Sequence, residues 1–254
     1  MLLKDKVILV VGAGGLLGRE IVRSLVREGG RVIAADRLLD LVKPLAEEIG
    51  TDKIIPCQID ITDKASIQRV FGLADASWKP LTGAVNTAYP RNKNYGREAL
   101  DVTYEDFCEN VGLHLGGYFL FMQQCAAYSK AHSSDFSLVN MSSIYGSIAP
   151  KFDVYKNTNM TMPVEYAAIK SALQHTTRYF NAYMKGSGFR ANCVSPGGIK
   201  DNQPEKFLYA YKEKCRIKGM LESKDLTGTV SYLLSDLSKY VVSQNIVVDD
   251  GFGD

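Results

Sequence analysis

Short apolar stretches alternate along this chain with longer segments in which apolar residues recur every three or four positions. The first stretch, KVILVVG at 6–12, is rich in β-branched residues and ends at a glycine, which is typical of a buried strand. The segment that follows places Leu17, Ile21 and Leu25 on one helical face and arginines on the others. The chain is therefore predicted to begin with a strand followed by an amphipathic helix.

The same alternation continues through the remaining residues. It predicts strands at 31–36, 53–60, 81–88, 135–143, 189–198 and 244–251. It predicts helices at 38–50, 63–77, 104–131, 164–186, 203–217 and 223–235, with a break near Gly112 in the third of these. Because each strand is almost entirely apolar, we expect a parallel sheet covered by helices on both faces. The predicted fold is α/β, a single Rossmann-type, doubly wound domain over 1–254 with a mostly parallel seven-stranded sheet.

Composition narrows the classes of protein that fit this pattern. The 254 residues are 46% hydrophobic, which is enough for a sizeable core, and basic residues exceed acidic ones by only two. Such a balance argues against a nucleic-acid-binding protein, which usually carries a strongly basic surface. No apolar stretch reaches the length of a membrane span. Five cysteines at wide, irregular spacing predict reduced thiols in a cytoplasmic protein, with no disulfide framework and no metal site.

The turn after the first strand, VGAGGLLGRE, has the glycine spacing of a phosphate-binding loop. A turn this rich in glycine lets the backbone approach a pyrophosphate, and the free N–H groups of the following helix point at the anion. The pattern follows a strand, opens a helix and precedes an acidic residue at the end of the second strand. The predicted cofactor-binding residues are Gly12, Gly14, Gly15, Leu17 and Gly18. The alternative is a tight turn that binds nothing.

Asp36, at the end of the second predicted strand, bears on the choice of cofactor. Its carboxylate can accept hydrogen bonds from the adenosine ribose and would repel a 2′-phosphate, which favours NAD over NADP. Arg37 could instead pair with that phosphate, so NADP is the alternative cofactor. Asp36 could also be an ordinary turn or helix-capping residue.

Five motifs occur in one order along the chain: VGAGGLLG, NMSSIYG, YAAIK, CVSPGGI and VVDDG. Together they resemble the short-chain dehydrogenase/reductase family over essentially the full length. The resemblance implies that Tyr166 is the general acid/base, that Lys170 tunes it and binds a ribose, and that Ser143 orients the substrate oxygen. Hydride would pass to or from a nicotinamide. Tyr166 and Lys170 lie one helical turn apart, so we expect the ammonium to lower the tyrosine pKa from its usual value of about 10.

The resemblance implies further contacts with the cofactor. Asp60 and Ile61 match positions near the adenine, and Asn86 matches an asparagine after the fourth strand. The loop that faces the nicotinamide is matched by Pro196, Gly197 and Ile199. Family membership also implies a homotetramer or homodimer built through the long helices at 104–131 and 161–186, although apolar residues there could simply be core.

Several positions depart from the family pattern. Leu16 replaces a glycine of the first turn, the N-N-A-G stretch is NTAY and ends at Tyr89, and Asp201 replaces a threonine. His114 stands where the family has the asparagine of a proton relay. A histidine there could bind the same water or carry the proton itself, because it titrates near neutrality. The alternative is a packed helix residue with the relay rerouted.

Three segments are predicted to flank the substrate. Residues 147–160 form a polar insertion, while 89–97 and a lid at 200–218 are rich in basic residues, namely Arg91, Lys93, Arg97, Lys200, Lys206, Lys212, Lys214, Arg216 and Lys218. Basic groups that converge on a pocket suit an anionic substrate such as a phosphorylated or nucleotide-linked sugar. A solvated surface is the plain alternative. The chain from CVSPGG onward also resembles dehydrogenases of flagellin and surface-glycan modification.

The sequence thus predicts an NAD(P)-dependent oxidoreductase that interconverts a secondary alcohol and a ketone on a small, polar, sugar-like molecule. Two alternatives stay open. One is an NADPH-dependent carbonyl reductase of a small ketone. The other is a catalytically silent protein that binds a dinucleotide and serves as a scaffold.

Overall fold

A seven-stranded parallel sheet forms the centre of the computed structural model, which describes residues 1–50 and 52–254. The strands are β1 (Val7–Val11), β2 (Arg31–Asp36), β3 (Ile54–Gln58), β4 (Gly83–Asn86), β5 (Phe136–Met141), β6 (Phe189–Pro196) and β7 (Asn245–Val248). Their order is β3-β2-β1-β4-β5-β6-β7, and every neighbouring pair runs parallel. The order reverses direction between β1 and β4, where ligands bind in folds of this kind. The predicted doubly wound α/β fold is confirmed.

Helices cover both faces of the sheet. They are α1 (Leu16–Arg27), α2 (Lys43–Ile49), α3 (Lys64–Ser77), α4 (Tyr104–Val111), α5 (Gly117–His132), α6 (Val164–Tyr183), α7 (Glu205–Lys212) and α8 (Thr227–Leu234). Side chains of β1 alternate between the faces. Val7, Leu9 and Val11 join the core beneath α3, α5 and α6, whereas Ile8 and Val10 join the core beneath α1 and α8. A strand buried on both faces has no polar side, which is why its sequence is uniformly apolar.

The predicted break near Gly112 is a π-helical turn, Gly112–Gly116, and the chain stays helical from α4 into α5. A π turn holds one extra residue per turn and is common at functional sites. The turn carries His114 into the interior, where the side chain is fully buried. The interruption therefore redirects a side chain instead of separating two helices.

The lid and the insertion build a small core of their own above the carboxyl edge of the sheet. It joins Tyr145, Tyr155, Phe207, Tyr211 and Phe252, among others. The predicted helix at 203–217 is shorter than expected and ends at Lys212, where the lid chain turns back towards residues 249–254. No helix in the described part of the chain is long and apolar enough to cross a membrane.

Candidate functional site

A cavity of about 670 Å³ opens at the carboxyl edge of the sheet. One end of the cavity is the turn between β1 and α1, and the other is the catalytic set predicted from the sequence. The predicted site residues that line it are Gly12, Gly15, Leu17, Gly18, Ser143, Tyr166, Lys170, Pro196, Gly197 and Ile199. The fold therefore brings the glycine turn and the Ser–Tyr–Lys set to one continuous space.

The glycine turn has the shape that a pyrophosphate requires. Gly12 has φ +77°, and a Cβ added at Gly18 would lie 2.0 Å from the Gly12 carbonyl oxygen. Gly15 precedes α1 without a side-chain cap, so no side chain occupies the first N–H groups of that helix. Free N–H groups at a helix start attract anions. The residues present therefore fit the phosphates of a dinucleotide.

Asp36 lies at the same turn but outside the cavity wall. Its Oδ2 accepts a hydrogen bond from the Gly14 N–H at 3.0 Å, and its Oδ1 accepts one from the Leu38 N–H at 3.2 Å. The carboxylate thus braces the turn at the end of β2, which is the turn role considered above. Arg37 beside it is exposed, and its backbone carbonyl accepts a hydrogen bond from Gln58.

The remaining predicted cofactor residues do not line the cavity. Asp60 accepts hydrogen bonds from the backbone and hydroxyl of Thr62, and Ile61 is buried in the core. Asn86 is buried, and its Oδ1 accepts the Ala88 N–H. Its Nδ2 has no partner among the described residues, so the amide N–H groups of this buried side chain are unsatisfied.

Lys170 lines the floor of the cavity, and its side chain is almost fully buried. Its Nζ donates to the Met141 carbonyl oxygen at 2.8 Å and lies 3.3 Å from His114 Nε2. Burial lowers the pKa of Lys170 from 10.5 to about 7. Near neutral pH the lysine can therefore either hold or release a proton, which an exposed lysine cannot do.

Tyr166 does not have the lowered pKa expected from its lysine neighbour. Burial raises the pKa of Tyr166 above its usual range, and a hydrogen bond with Ser143 partly opposes that rise. The Lys170 Nζ lies 5.5 Å from the centre of the Tyr166 ring and points at Met141. In this structure desolvation of the phenolate therefore dominates the pKa of Tyr166.

His114 sits behind Lys170 and not in the cavity wall. The side chain is fully buried, its ring lies 5.2 Å from that of Tyr89 and 5.3 Å from that of Tyr118, and its Nδ1 has no partner among the described residues. Burial and the nearby Lys170 keep the pKa of His114 well below its usual value. A protonated lysine can only donate, so a neutral His114 would accept at Nε2 and carry its proton on Nδ1.

Tyrosines form much of the cavity wall, and the sequence analysis assigned a catalytic role to only one of them, Tyr166. Those that line it are Tyr89, Tyr118, Tyr145, Tyr155, Tyr166 and Tyr211. Two of them adjoin recognised motifs, since Tyr89 ends NTAY and Tyr145 follows the serines of NMSSIYG. That adjacency is a signal from which they could have been found.

Three of the six lid cations, Lys214, Arg216 and Lys218, pair with carboxylates. Lys214 lies 2.7 Å from Asp153, and Lys218 contacts Asp225. None of the six basic lid residues lines the cavity, and the insertion contributes only Tyr155 and Met160 to its wall. The expectation of many basic groups converging on the substrate is therefore corrected. Of the cations predicted in the flanking segments, Arg91 is the one that reaches it.

Replacing Lys170 with methionine should change how stability depends on pH. The unfolded lysine keeps a pKa near 10.5, whereas burial lowers that of folded Lys170 to about 7, so between these values the unfolded chain binds more protons. The free energy of unfolding should therefore rise with pH in this window, by about 2 kcal/mol more for wild type than for the variant between pH 7 and pH 9. Urea unfolding of both proteins measures this difference. Parallel pH profiles would contradict a lysine with a lowered pKa.

Comparisons with known proteins agree with this geometry. A family model described as "Enoyl-(Acyl carrier protein) reductase" matches residues 12–253. The chain is 36% identical to the Post-translational flagellin modification protein A of Campylobacter coli, over 99% of this chain and 100% of that protein. It is 25% identical to the 7alpha-hydroxysteroid dehydrogenase of Bacteroides fragilis, over 98% and 94% of the two chains. The crystal structure of a short chain dehydrogenase from Leptospira borgpetersenii with bound NAD+ matches with a TM-score of 0.87, 31% identity and coverage of 99% and 94%.

Proposed function

The chain belongs to the short-chain dehydrogenase/reductase family of oxidoreductases, and we propose that it interconverts an alcohol and a ketone on a sugar-like, anionic substrate with NAD. The observation that carries the proposal is the shared cavity. Ser143, Tyr166 and Lys170 line the same space as the glycine turn, so one ligand bound at the turn can extend to the catalytic set.

Residues of the glycine turn would hold the cofactor. Gly12, Gly15 and Gly18 leave room for a pyrophosphate against the backbone, and Asp36 at the edge of the turn suits a ribose without a 2′-phosphate. The NAD+ bound to the Leptospira relative supports the same choice of cofactor. When bound, the nicotinamide supplies the donor or acceptor of hydride.

The catalytic roles follow from the contacts of each side chain. Ser143 and Tyr166 line the same part of the cavity, so their hydroxyls can hold a substrate oxygen between them. Tyr166 would give or take the proton at that oxygen. Lys170 lies beneath it, and its lowered pKa allows it to return the proton at neutral pH.

His114 would take part in the proton relay as a hydrogen-bond acceptor. Its Nε2 lies 3.3 Å from Lys170 Nζ, where it can accept from the ammonium. The relay asparagine of the family holds a water at this point, whereas this chain places an imidazole directly against the lysine. We propose that the neutral His114 takes the place of that water by accepting a hydrogen bond from Lys170 at Nε2, which positions the lysine for its exchange of a proton with Tyr166.

The substrate side of the cavity supports a ring compound with hydroxyl groups. Tyr145 and Tyr155 present aromatic surface together with hydroxyl groups that lie 3.4 Å apart. Such side chains offer both an apolar face and a polar tip, a combination that suits the C–H faces and hydroxyls of a sugar. The similarity to a flagellin modification protein supports a substrate used in flagellin or surface-glycan modification.

Arg91 supports an anionic group on that substrate. Among the described residues no carboxylate pairs with Arg91, and its guanidinium lies 4.6 Å from the Tyr89 ring centre at the cavity. A guanidinium without a carboxylate partner binds carboxylate or phosphate oxygens, often through two parallel hydrogen bonds.

Binding of NAD(H) and NADP(H) to the purified protein, followed by turnover on a panel of phosphorylated, carboxylated and nucleotide-linked sugars, tests the proposal. We expect tighter binding of NAD(H), because Asp36 disfavours a 2′-phosphate, and turnover on an anionic sugar. Preference for NADP(H) with turnover on small ketones would support the carbonyl-reductase alternative. Failure to bind either dinucleotide would overturn the proposal.

Replacing Arg91 with glutamine should raise KM for the anionic substrate about tenfold or more with little change in kcat, since a hydrogen bond to a charged group is lost. Lys93→Gln is the matched control, because Lys93 is exposed on the same segment and does not line the cavity. Equal effects of the two substitutions would contradict a specific anion contact.

A further inference from the structure

The segment formed by residues 249–254 packs against the lid and, through it, against the loop at 196–199. Phe252 is fully buried, and its ring stacks on that of Tyr211 with centroids 4.0 Å apart and an interplanar angle of 6°. The Tyr211 hydroxyl in turn accepts the Gly198 N–H at 2.6 Å. One line of contacts therefore runs from the C-terminal segment through α7 to the loop.

The loop has little freedom to move against Tyr211. A Cβ added at Gly197 would lie 2.9 Å from the Tyr211 hydroxyl, and one added at Gly198 would lie 2.9 Å from the ring carbon that bears it. Tyr211 is thus held between Phe252 on one side and the two glycines on the other. In such close packing, a shift of one ring forces a shift of its neighbours.

A second set of contacts fixes the other end of the lid. The Asp250 carboxylate accepts the N–H groups of Ile217, Lys218 and Gly219 at distances between 2.5 and 3.2 Å. Asp250 itself has φ 57°, a left-handed conformation that aspartate and asparagine tolerate better than most residues. Hydrogen bonds to a carboxylate are roughly twice as strong as neutral ones, so this contact holds the lid chain firmly.

The insertion holds the C-terminal segment from the opposite side. Lys151 Nζ donates to the Phe252 carbonyl oxygen at 2.5 Å and to that of Asp254 at 3.1 Å, and it lies 5.0 Å from the Phe252 ring centre. The segment is therefore attached to the lid, to the insertion and to the end of β7 at once. This location lets it fix the relative positions of the elements that enclose the substrate.

We propose that Phe252 and Asp250 are positioning residues that hold the lid and the loop at 196–199 in their ligand-binding arrangement before any ligand arrives. The inference rests on the proposed function in one respect, namely that this loop contacts the nicotinamide. If the loop is already ordered in the free protein, ligand binding does not have to order it. The conformational entropy of the loop is then not lost on association. Removal of the positioning contacts should therefore weaken binding more than it slows proton transfer.

Hydrogen exchange of the ligand-free protein tests the positioning role directly. In Phe252→Ala we expect amides at 197–219 to exchange about tenfold faster, while those of β1 and β2 stay unchanged. Asp250→Asn, which tolerates the left-handed backbone and keeps one acceptor oxygen, should show a smaller increase confined to 213–219. Phe121→Ala is the control for general loss of stability, because it removes an equally buried ring from the main core.

Binding and turnover provide the second readout. Phe252→Ala should weaken NADH binding and raise substrate KM by about tenfold, with kcat within about twofold of wild type. The inference would be overturned if amides at 197–219 exchanged at the wild-type rate in Phe252→Ala. It would also be overturned if exchange in Phe252→Ala increased throughout the sheet, as expected for Phe121→Ala. Failure of the wild type to bind NADH would overturn the proposed function. The exchange experiment would still decide whether Phe252 positions the lid, because hydrogen exchange is measured without ligand.

Discussion

Replacement of Tyr166 with phenylalanine should lower kcat by about a hundredfold to ten-thousandfold, the usual contribution of a positioned acid or base. The substitution removes only the hydroxyl, which faces the cavity beside Ser143. The ring keeps its edge-to-face contact with Tyr89, at a centroid distance of 5.7 Å, so the cavity should keep its shape. NADH binding should therefore stay within about twofold of wild type.

Steady-state turnover and NADH titration of the same preparations measure both quantities. Tyr179→Phe is the matched control, because Tyr179 lies on the same helix, α6, with 63% of its surface exposed and outside the cavity. It should behave as wild type. If Tyr166→Phe retained full turnover, the assigned acid/base role would be wrong. If it abolished turnover yet supported the protein's role in the cell, the scaffold alternative would be favoured.

Replacement of Gly18 with alanine should weaken dinucleotide binding by about a hundredfold, comparable to the loss of several backbone hydrogen bonds to phosphate. The added Cβ would lie 2.0 Å from the Gly12 carbonyl oxygen and 2.7 Å from the Ala13 Cα. Both neighbours are backbone atoms, so no side-chain rotation can relieve the clash. The start of α1 must then move away from the turn, and its N–H groups lose their alignment with the anion.

NADH titration with circular dichroism as a check of folding measures this effect. Gly72→Ala is the control, since Gly72 lies within α3 with nothing inside 4 Å of the added Cβ. It should bind normally and raise the free energy of unfolding by about 1 kcal/mol. Gly15→Ala brings a Cβ only to 3.2 Å from the Gly12 carbonyl and gives a milder test if Gly18→Ala fails to fold. If Gly18→Ala folded and bound NADH normally, the pyrophosphate would have to bind at a place other than this turn.

Periodicity and motif order were sufficient to predict the fold and the family of this chain. All seven strands lie where the apolar stretches predicted them. The inner strands β1, β4 and β5 are buried along their whole length and have no polar side, whereas the edge strands β3 and β7 are partly exposed. The fold brings Ser143, Tyr166 and Lys170 together in the cavity at the carboxyl ends of the strands. The similarity to flagellin modification protein A confirms the resemblance of the C-terminal run.

Contacts between elements that are distant in the sequence depended on the tertiary structure. The glycine at 112 suggested an interruption, but only the packing of α4, α5 and α6 shows a π turn that presses His114 against Lys170. The cavity wall likewise gathers tyrosines from the end of β4, the insertion and the lid, three segments with no common periodicity.

The sequence by itself therefore determined the order of the elements, the glycine turn and the chemical identity of the Ser–Tyr–Lys set. The tertiary structure decided which charges face the cavity, since Arg91 lines it whereas none of the six lid cations does, and three of those six pair with carboxylates instead. The tertiary structure also shifted the pKa values of the catalytic groups, because burial lowers the pKa of Lys170 and raises that of Tyr166. The sequence of one helix or strand shows which of its faces is apolar. Desolvation and ion pairing depend on which helices and strands pack against each other, and that is decided only in the folded chain.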